Sequence, residues 1–146
     1  MRRLLGTLSA VVLMMMAAGG AMAQITPPKV TWDAQSLMID GKREFIWSGE
    51  FHPFRLPDPQ AWRDVYRKMK ASGFNSVALY FNWSYHSPAP GVYDFTGIRD
   101  MDLAIRMAEE EGLYVIVRPG SYVNAELSRG GFPGYLSRQT GVARHP

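Results

Sequence analysis

The period of the hydrophobic positions changes several times along this chain, and each change predicts an element. Val30 to Asp33 and Ser36 to Asp40 are short β-forming runs. Asp40-Gly41 is a tight-turn signal, with Arg43 to Ser48 as the returning strand. Asp58-Pro59 supplies an acidic N-cap and a proline at the first helical position. Trp62, Val65, Tyr66 and Met69 then fall at i, i+3, i+4 and i+7, a single apolar stripe, with Arg63, Arg67, Lys68 and Lys70 mainly off it. Gly73 stops this helix. Asn75 to Phe81 is a mostly apolar strand suited to a sheet buried on both faces. A long loop follows, ending in the turn pair Pro90-Gly91. Ile98 to Glu111 reads as the next helix, with Met101, Ile105 and Ala108 along one side and Gly112 at its end. Leu113 to Arg118 is the next buried strand, and Tyr135 to Arg138 begins a third helix.

The order β-α-β-α-β predicts a parallel sheet with right-handed crossovers. No glycine-rich turn joins the first strand to its helix, which removes the fingerprint of a dinucleotide-binding fold. Polar and aromatic residues crowd the segments that follow each strand instead. In an eight-stranded barrel that is the face where chemistry sits.

Residues 1–23 read as a cleavable signal peptide: Arg2-Arg3, an apolar run from Leu4 to Ala18, and the small-x-small pattern Ala21-Met22-Ala23, with the cut before Gln24. The apolar core is shorter than the roughly 20 residues of a spanning helix. The expected division is therefore a leader at 1–23 and a mature part at 24–146, the latter the N-terminal part of a larger domain, periplasmic or secreted and off the membrane after cleavage. Without Arg2 and Arg3, the 16 Lys and Arg fall to 14 against 13 Asp and Glu. Such a near-neutral balance argues against nucleic acid as a partner. The absence of cysteine excludes disulfides, thiolate metal sites and a thiol nucleophile.

Glu50, His52 and Arg55 follow the first strand of the parallel unit. Tyr80, Asn82, Trp83, Tyr85 and His86 end or follow the second, and Arg118, Tyr122, Asn124 and Glu126 the third. Aromatic faces stack on the C–H patches of sugars, and amides and carboxylates hydrogen-bond their hydroxyls. Plainer roles stand beside this one. Glu50 pairs with Arg55 or Arg118 to orient the rim, His52 and His86 are structural, and Trp83 and Tyr85 pack loops. The two histidines lack ligand spacing for a metal, and Glu109-Glu110-Glu111 reads as a solvated helix end.

Taken in order, these motifs resemble glycoside hydrolase family 35, the exo-acting β-galactosidases. The resemblance runs from Val30 to the chain end. It is carried by Ser48-Gly49-Glu50-Phe51-His52, Met69-Lys70-Ala71-Ser72-Gly73-Phe74-Asn75, Tyr80-Phe81-Asn82-Trp83, Pro90-Gly91-Val92-Tyr93-Asp94-Phe95, Arg118-Pro119-Gly120, Tyr122-Val123-Asn124-Ala125-Glu126 and Gly130-Gly131-Phe132-Pro133. It departs from the family pattern at Pro53, Ser87 and Leu127. The resemblance implies the first β-α-β-α-β portion of a (β/α)8 barrel, incomplete here because a full barrel takes about 250 residues.

It further implies retaining hydrolysis of terminal β-galactosides in oligo- or polysaccharides, without cofactor or metal. Tyr80, Asn124, Ala125 and Glu126 would bind the terminal galactose. The acid/base and the nucleophile would lie on later strands, beyond Pro146, so the polypeptide alone is expected to be unstable and inactive. The alternatives are a galactoside-binding module without catalysis and a half-barrel that needs a partner chain carrying the missing remainder.

Overall fold

A computed structural model describes residues 28–124 and 126–138. The expected leader at 1–23 and Ala125 lie outside the described residues. The chain divides into two units at the step from Glu44 to Phe45.

In the first unit, β1 (Val30–Trp32), β2 (Leu37–Ile39) and β3 (Lys42–Arg43) form an antiparallel sheet in that order. Asp40 and Gly41 both have positive φ, 50° and 76°, as the two-residue turn between β2 and β3 requires. Arg43 grips Asp33 through both guanidinium nitrogens, at 2.9 and 2.6 Å. That grip and the amides of Gln35 and Ser36 hold the Asp33 carboxyl far below the usual carboxylate range. The returning strand is shorter than the sequence predicts: pairing ends at Arg43, and the chain re-enters a sheet only at Ser48.

The second unit is mixed α/β. β4 (Ser48–Phe51), α1 (Pro59–Ala71), β5 (Ser76–Phe81), the short α2 (Trp83–His86), α3 (Met101–Glu110) and β6 (Tyr114–Pro119) follow in order. β4, β5 and β6 are parallel neighbours with β5 central, as the alternation of elements predicts. Asp58 caps α1 by accepting from the Gln60 amide, and Gly73, at φ 91°, turns the chain out of it. The buried core joins Trp62 and Tyr66 of α1, Val77 and Leu79 of β5, and Met101, Ala104, Met107 and Ala108 of α3. Trp62 also donates its indole N–H to the Leu56 carbonyl at 2.7 Å.

Four further expectations need correction. The second long helix starts at Met101, because Asp100 accepts from the Leu103 amide and caps it there; its buried side runs through Ala104 and Met107, and Ile105 is only half-buried. Residues 83–86, expected as loop, form a helical turn capped by Asn82. The acidic run is not simply solvated. Arg63 pairs with Glu110 and with Glu111 (2.9 Å), and Arg67 reaches Glu111 at 3.1 Å, joining α1 to the end of α3. β6, expected to be buried, is largely exposed, since no described strand pairs with its outer side. Among the described residues no helix is long and apolar enough to cross a membrane.

His86 shows how the loop after β5 is held. It is buried, stacks on Phe95 with 4.5 Å between ring centroids, and its Nδ1 lies 3.1 Å from the Asp94 carbonyl. A carbonyl only accepts, so Nδ1 carries the proton of the neutral ring. Burial lowers the His86 pKa, and the Asp94 carbonyl opposes this more weakly.

Two outcomes are expected. Trp62→Ala destabilises the protein by about 3–5 kcal/mol, through the cavity and the orphaned Leu56 carbonyl. Arg63→Met costs a small fraction of that, because ion pairs that keep contact with solvent contribute little. Urea midpoints of the two variants check this ranking. For His86, the unfolded ring titrates near its ordinary value of about 6.5 and the folded ring lower. The unfolded chain therefore binds more protons in that window, and stability rises with pH across it. The contribution of neutral His86 is complete above about pH 6.5 and is lost as pH falls toward the folded value. Melting temperatures measured from pH 8 to pH 5 should fall on the acid side, and less steeply for His86→Gln.

Candidate functional site

The parallel register decides which side chains share a face. Glu50 pairs with Ala78 and Ala78 with Ile116, while Tyr80 pairs with Arg118. Side chains alternate along a strand, so Glu50, Ala78, Tyr80, Ile116 and Arg118 fall on one face. Phe51, Val77, Leu79, Phe81 and Val115 fall on the other and pack with the helices. The polar trio of the first set sits at the C-terminal ends of the strands.

These three side chains touch. Tyr80 is buried, and its hydroxyl donates to Glu50 Oε1 at 2.9 Å. Arg118 Nη1 donates to the same carboxylate oxygen at 2.7 Å and also to the Tyr80 hydroxyl. The guanidinium carbon lies over the Tyr80 ring, 4.2 Å from its centroid, a cation–π contact. Burial first, and then the bond to Glu50, raises the Tyr80 pKa. Of the two partners open to Glu50 on sequence grounds, it is Arg118, and not Arg55, that takes it.

Around this trio the rim is aromatic. His52 meets Tyr80 edge-on at 4.5 Å and stacks with Phe54 at 5.3 Å. Arg55 Nε donates to His52 Nδ1 at 3.2 Å, which leaves the proton of the neutral ring on Nε2, a buried atom with no hydrogen-bond partner among the described residues. Burial is the first cause of the lowered His52 pKa and the Arg55 charge the second. The charges of Glu50 and Glu126 oppose it.

The loop after β6 carries the remaining predicted residues. Val123 packs against Tyr80 together with Phe54 and Leu127. Its amide donates to the Gly130 carbonyl at 2.9 Å, closing the loop on itself. Tyr122 donates to Asn124 Oδ1 at 3.2 Å. Asn124 and Glu126 are exposed and sit in the left-handed region, φ 54° and 50°, which asparagine tolerates better than glutamate. Gly131, at φ 92°, lies under the loop. A Cβ there would come within 2.7 Å of Val123 and 3.2 Å of Asn82 Oδ1, so the loops after β5 and β6 meet over a position only glycine fits.

A cavity of about 240 Å³ opens between Tyr80, Arg118, Tyr122 and Val123. The structure thus gathers Tyr80 with Glu50, Arg118 and Tyr122 and ties Asn124 to Tyr122, while Asn124 and Glu126 stand on the exposed part of the loop. A second cavity, of about 280 Å³, is walled by Phe81, Trp83, His86, Tyr93 and Phe95. Tyr85 does pack its loop: it donates to the Ile98 carbonyl and lies under Arg99, 4.8 Å from its guanidinium carbon. Among the described residues no cluster of three histidine or carboxylate side chains is placed to hold a metal ion. Sequence reasoning missed the joint action of Glu50 and Arg118 on Tyr80. The signal lies in strand parity, since Arg118 stands opposite Tyr80, but the sequence pattern ends the strand at Ser48, short of Glu50.

The sequence profile of "Glycosyl hydrolases family 35" matches residues 36–145. "Beta-galactosidase A" of Aspergillus oryzae is 50% identical over 115 residues, covering 79% of this chain and 11% of that one. "Probable beta-galactosidase C" of Aspergillus niger is 51% identical over 113 residues, 77% of this chain and 11% of its own length. "Probable beta-galactosidase B" of Aspergillus fumigatus is 52% identical over 108 residues, 73% of this chain and again 11% of that one. The chain therefore spans about a tenth of the length of these relatives. Among solved structures, "Crystal structure of endogalactoceramidase" superposes with a TM-score of 0.50 at 23% identity, over 61% of this chain and 22% of that one, a likeness of fold. The matched span takes in β4, β5, β6 and the loops that follow them, and the chain belongs to family 35 of the glycosyl hydrolases.

Proposed function

We propose that this chain supplies one wall of the sugar pocket of an exported, retaining β-galactosidase that acts on terminal β-galactosides. The observation that carries the reading is the cavity at the strand ends, where Tyr80 and Arg118 line a polar and aromatic recess in a chain of this family. Its size and make-up suit a single pyranose: the Tyr122 ring for the C–H patches, and a guanidinium and two phenols for the hydroxyls. Tyr80, Asn124, Ala125 and Glu126 bind the terminal galactose in this reading.

The three parallel strands are the first part of a (β/α)8 barrel. The exposed outer edge of β6, with Ile116 and Val117 39% and 47% accessible, supports continuation of the sheet by further strands. The carboxylate pair of a retaining mechanism, a nucleophile that forms the glycosyl-enzyme and an acid that then serves as base, lies on those later strands. Glu50 is committed to Tyr80 and Arg118, which suits a structural carboxylate better than a nucleophile. Residues 1–23 act as the export signal, leaving 24–146 as the first stretch of the catalytic domain.

The test is hydrolysis of an aryl β-galactoside by the whole protein that carries this chain. Glu126→Gln and Tyr80→Phe should each lower kcat/KM by roughly 10- to 100-fold, the scale of one or two hydrogen bonds that tighten in the transition state, without abolishing turnover. Recovery of a dead Glu126→Gln enzyme by added azide would instead make Glu126 a catalytic carboxylate and overturn the assignment.

A further inference from the structure

We propose that Glu50 is a positioning residue that takes up the only hydroxyl proton of Tyr80, so that Tyr80 meets the sugar as an acceptor and selects a ring hydroxyl that donates. The inference rests on the galactoside reading of the pocket and fixes the polarity of one contact within it.

A phenol has one proton and, on its oxygen, room to accept. Both protein partners of the Tyr80 hydroxyl can play only one role. Glu50, ion-paired to Arg118, is a carboxylate and only accepts; the proton of Tyr80 goes to its Oε1 at 2.9 Å. Arg118 only donates, and it directs Nη1 at the phenol oxygen and at Oε1 together. Neither bond can be reversed without uncharging a partner.

The ring cannot turn away to find another use for the proton. The guanidinium covers one face, His52 meets the ring edge-on, and Val123, Phe54 and Leu127 pack around it. What Tyr80 presents to the 240 Å³ cavity is therefore an oxygen with its proton already spent. A sugar atom that has no hydrogen to give, whether an ether oxygen, a fluorine or a methylated hydroxyl, finds no donor in Tyr80, and a buried polar group left unpaired is costly.

Competitive binding of free galactose and of its monodeoxy and monodeoxyfluoro analogues at C3, C4 and C6 to the whole protein tests this. Fluorine keeps the bond dipole and accepts weakly but donates nothing. The ring position touched by Tyr80 is the one at which Tyr80→Phe ceases to distinguish galactose from the deoxy sugar. At that position, in the wild type, the fluoro analogue should bind as poorly as the deoxy analogue, both roughly tenfold weaker than galactose. Glu50→Gln, whose amide oxygen still accepts from Tyr80, should keep this ranking. Glu50→Ala, which frees the phenol proton, should raise the fluoro analogue above the deoxy one.

A wild-type fluoro analogue that binds like galactose, or a Glu50→Ala variant that keeps the wild-type ranking, would overturn the inference while leaving the galactoside reading intact. If no position loses its discrimination in Tyr80→Phe, Tyr80 does not touch the sugar and the inference fails likewise. Absence of any galactose binding to the wild type would overturn both.

Discussion

Strict alternation of side chains along three parallel strands is the constraint on which the rest of the second unit depends. With Glu50 level with Ala78 and Tyr80 level with Arg118, the odd-numbered positions Phe51, Val77, Leu79 and Val115 face the helices and the even-numbered ones do not. A slip of one residue between β5 and β6 would carry Arg118 toward the apolar layer and break its pairing with Tyr80. The register is in turn secured by the helix side. Trp62 and Tyr66 fill the space over Val77 and Leu79, and Ala104 and Ala108 let α3 approach closely. Core and site are two readings of one periodicity.

The polar side of that sheet is organised by charge shared among few atoms. One carboxylate oxygen of Glu50 receives both the Arg118 N–H and the Tyr80 O–H, so a single group satisfies two donors at the strand ends. The guanidinium then lies on the Tyr80 ring. In the loops the same economy recurs with backbone carbonyls: that of Asp94 orients His86, and that of Ile98 takes the Tyr85 hydroxyl. Aromatic rings with one polar atom each are well suited to this, since the ring fills volume while the atom fixes direction.

Much of the architecture was legible in the residues themselves. The stripe of Trp62, Val65, Tyr66 and Met69 located α1, and Asp58-Pro59 marked its first turn because capping chemistry is local. Asp40-Gly41 located its turn for the same reason. Legibility failed where the deciding partner was far away in sequence. The ends of Glu110 and Glu111 looked solvated because Arg63 and Arg67 are more than forty residues distant. The exposure of β6 depends on which strands pair with it, which no local pattern records. Of the four residues proposed to bind the sugar, Tyr80 lies in a regular strand whose parity fixes its direction. Asn124 and Glu126 lie in a loop with left-handed backbone, where direction depends on the dihedral angles of each residue. The roles assigned to the quartet came from resemblance to a family, and geometry alone would not have separated a binding carboxylate from a catalytic one.

Gly131 has a consequence for how such a protein can change. Because its missing side chain is where Val123 and Asn82 come together, the rims contributed by two different strands are fitted to each other as well as to the sheet beneath. Neither rim is an independent module. Lineages that diverge in specificity would be expected to alter both rims in concert, and an engineer transplanting one of them from a relative would have to carry the other along.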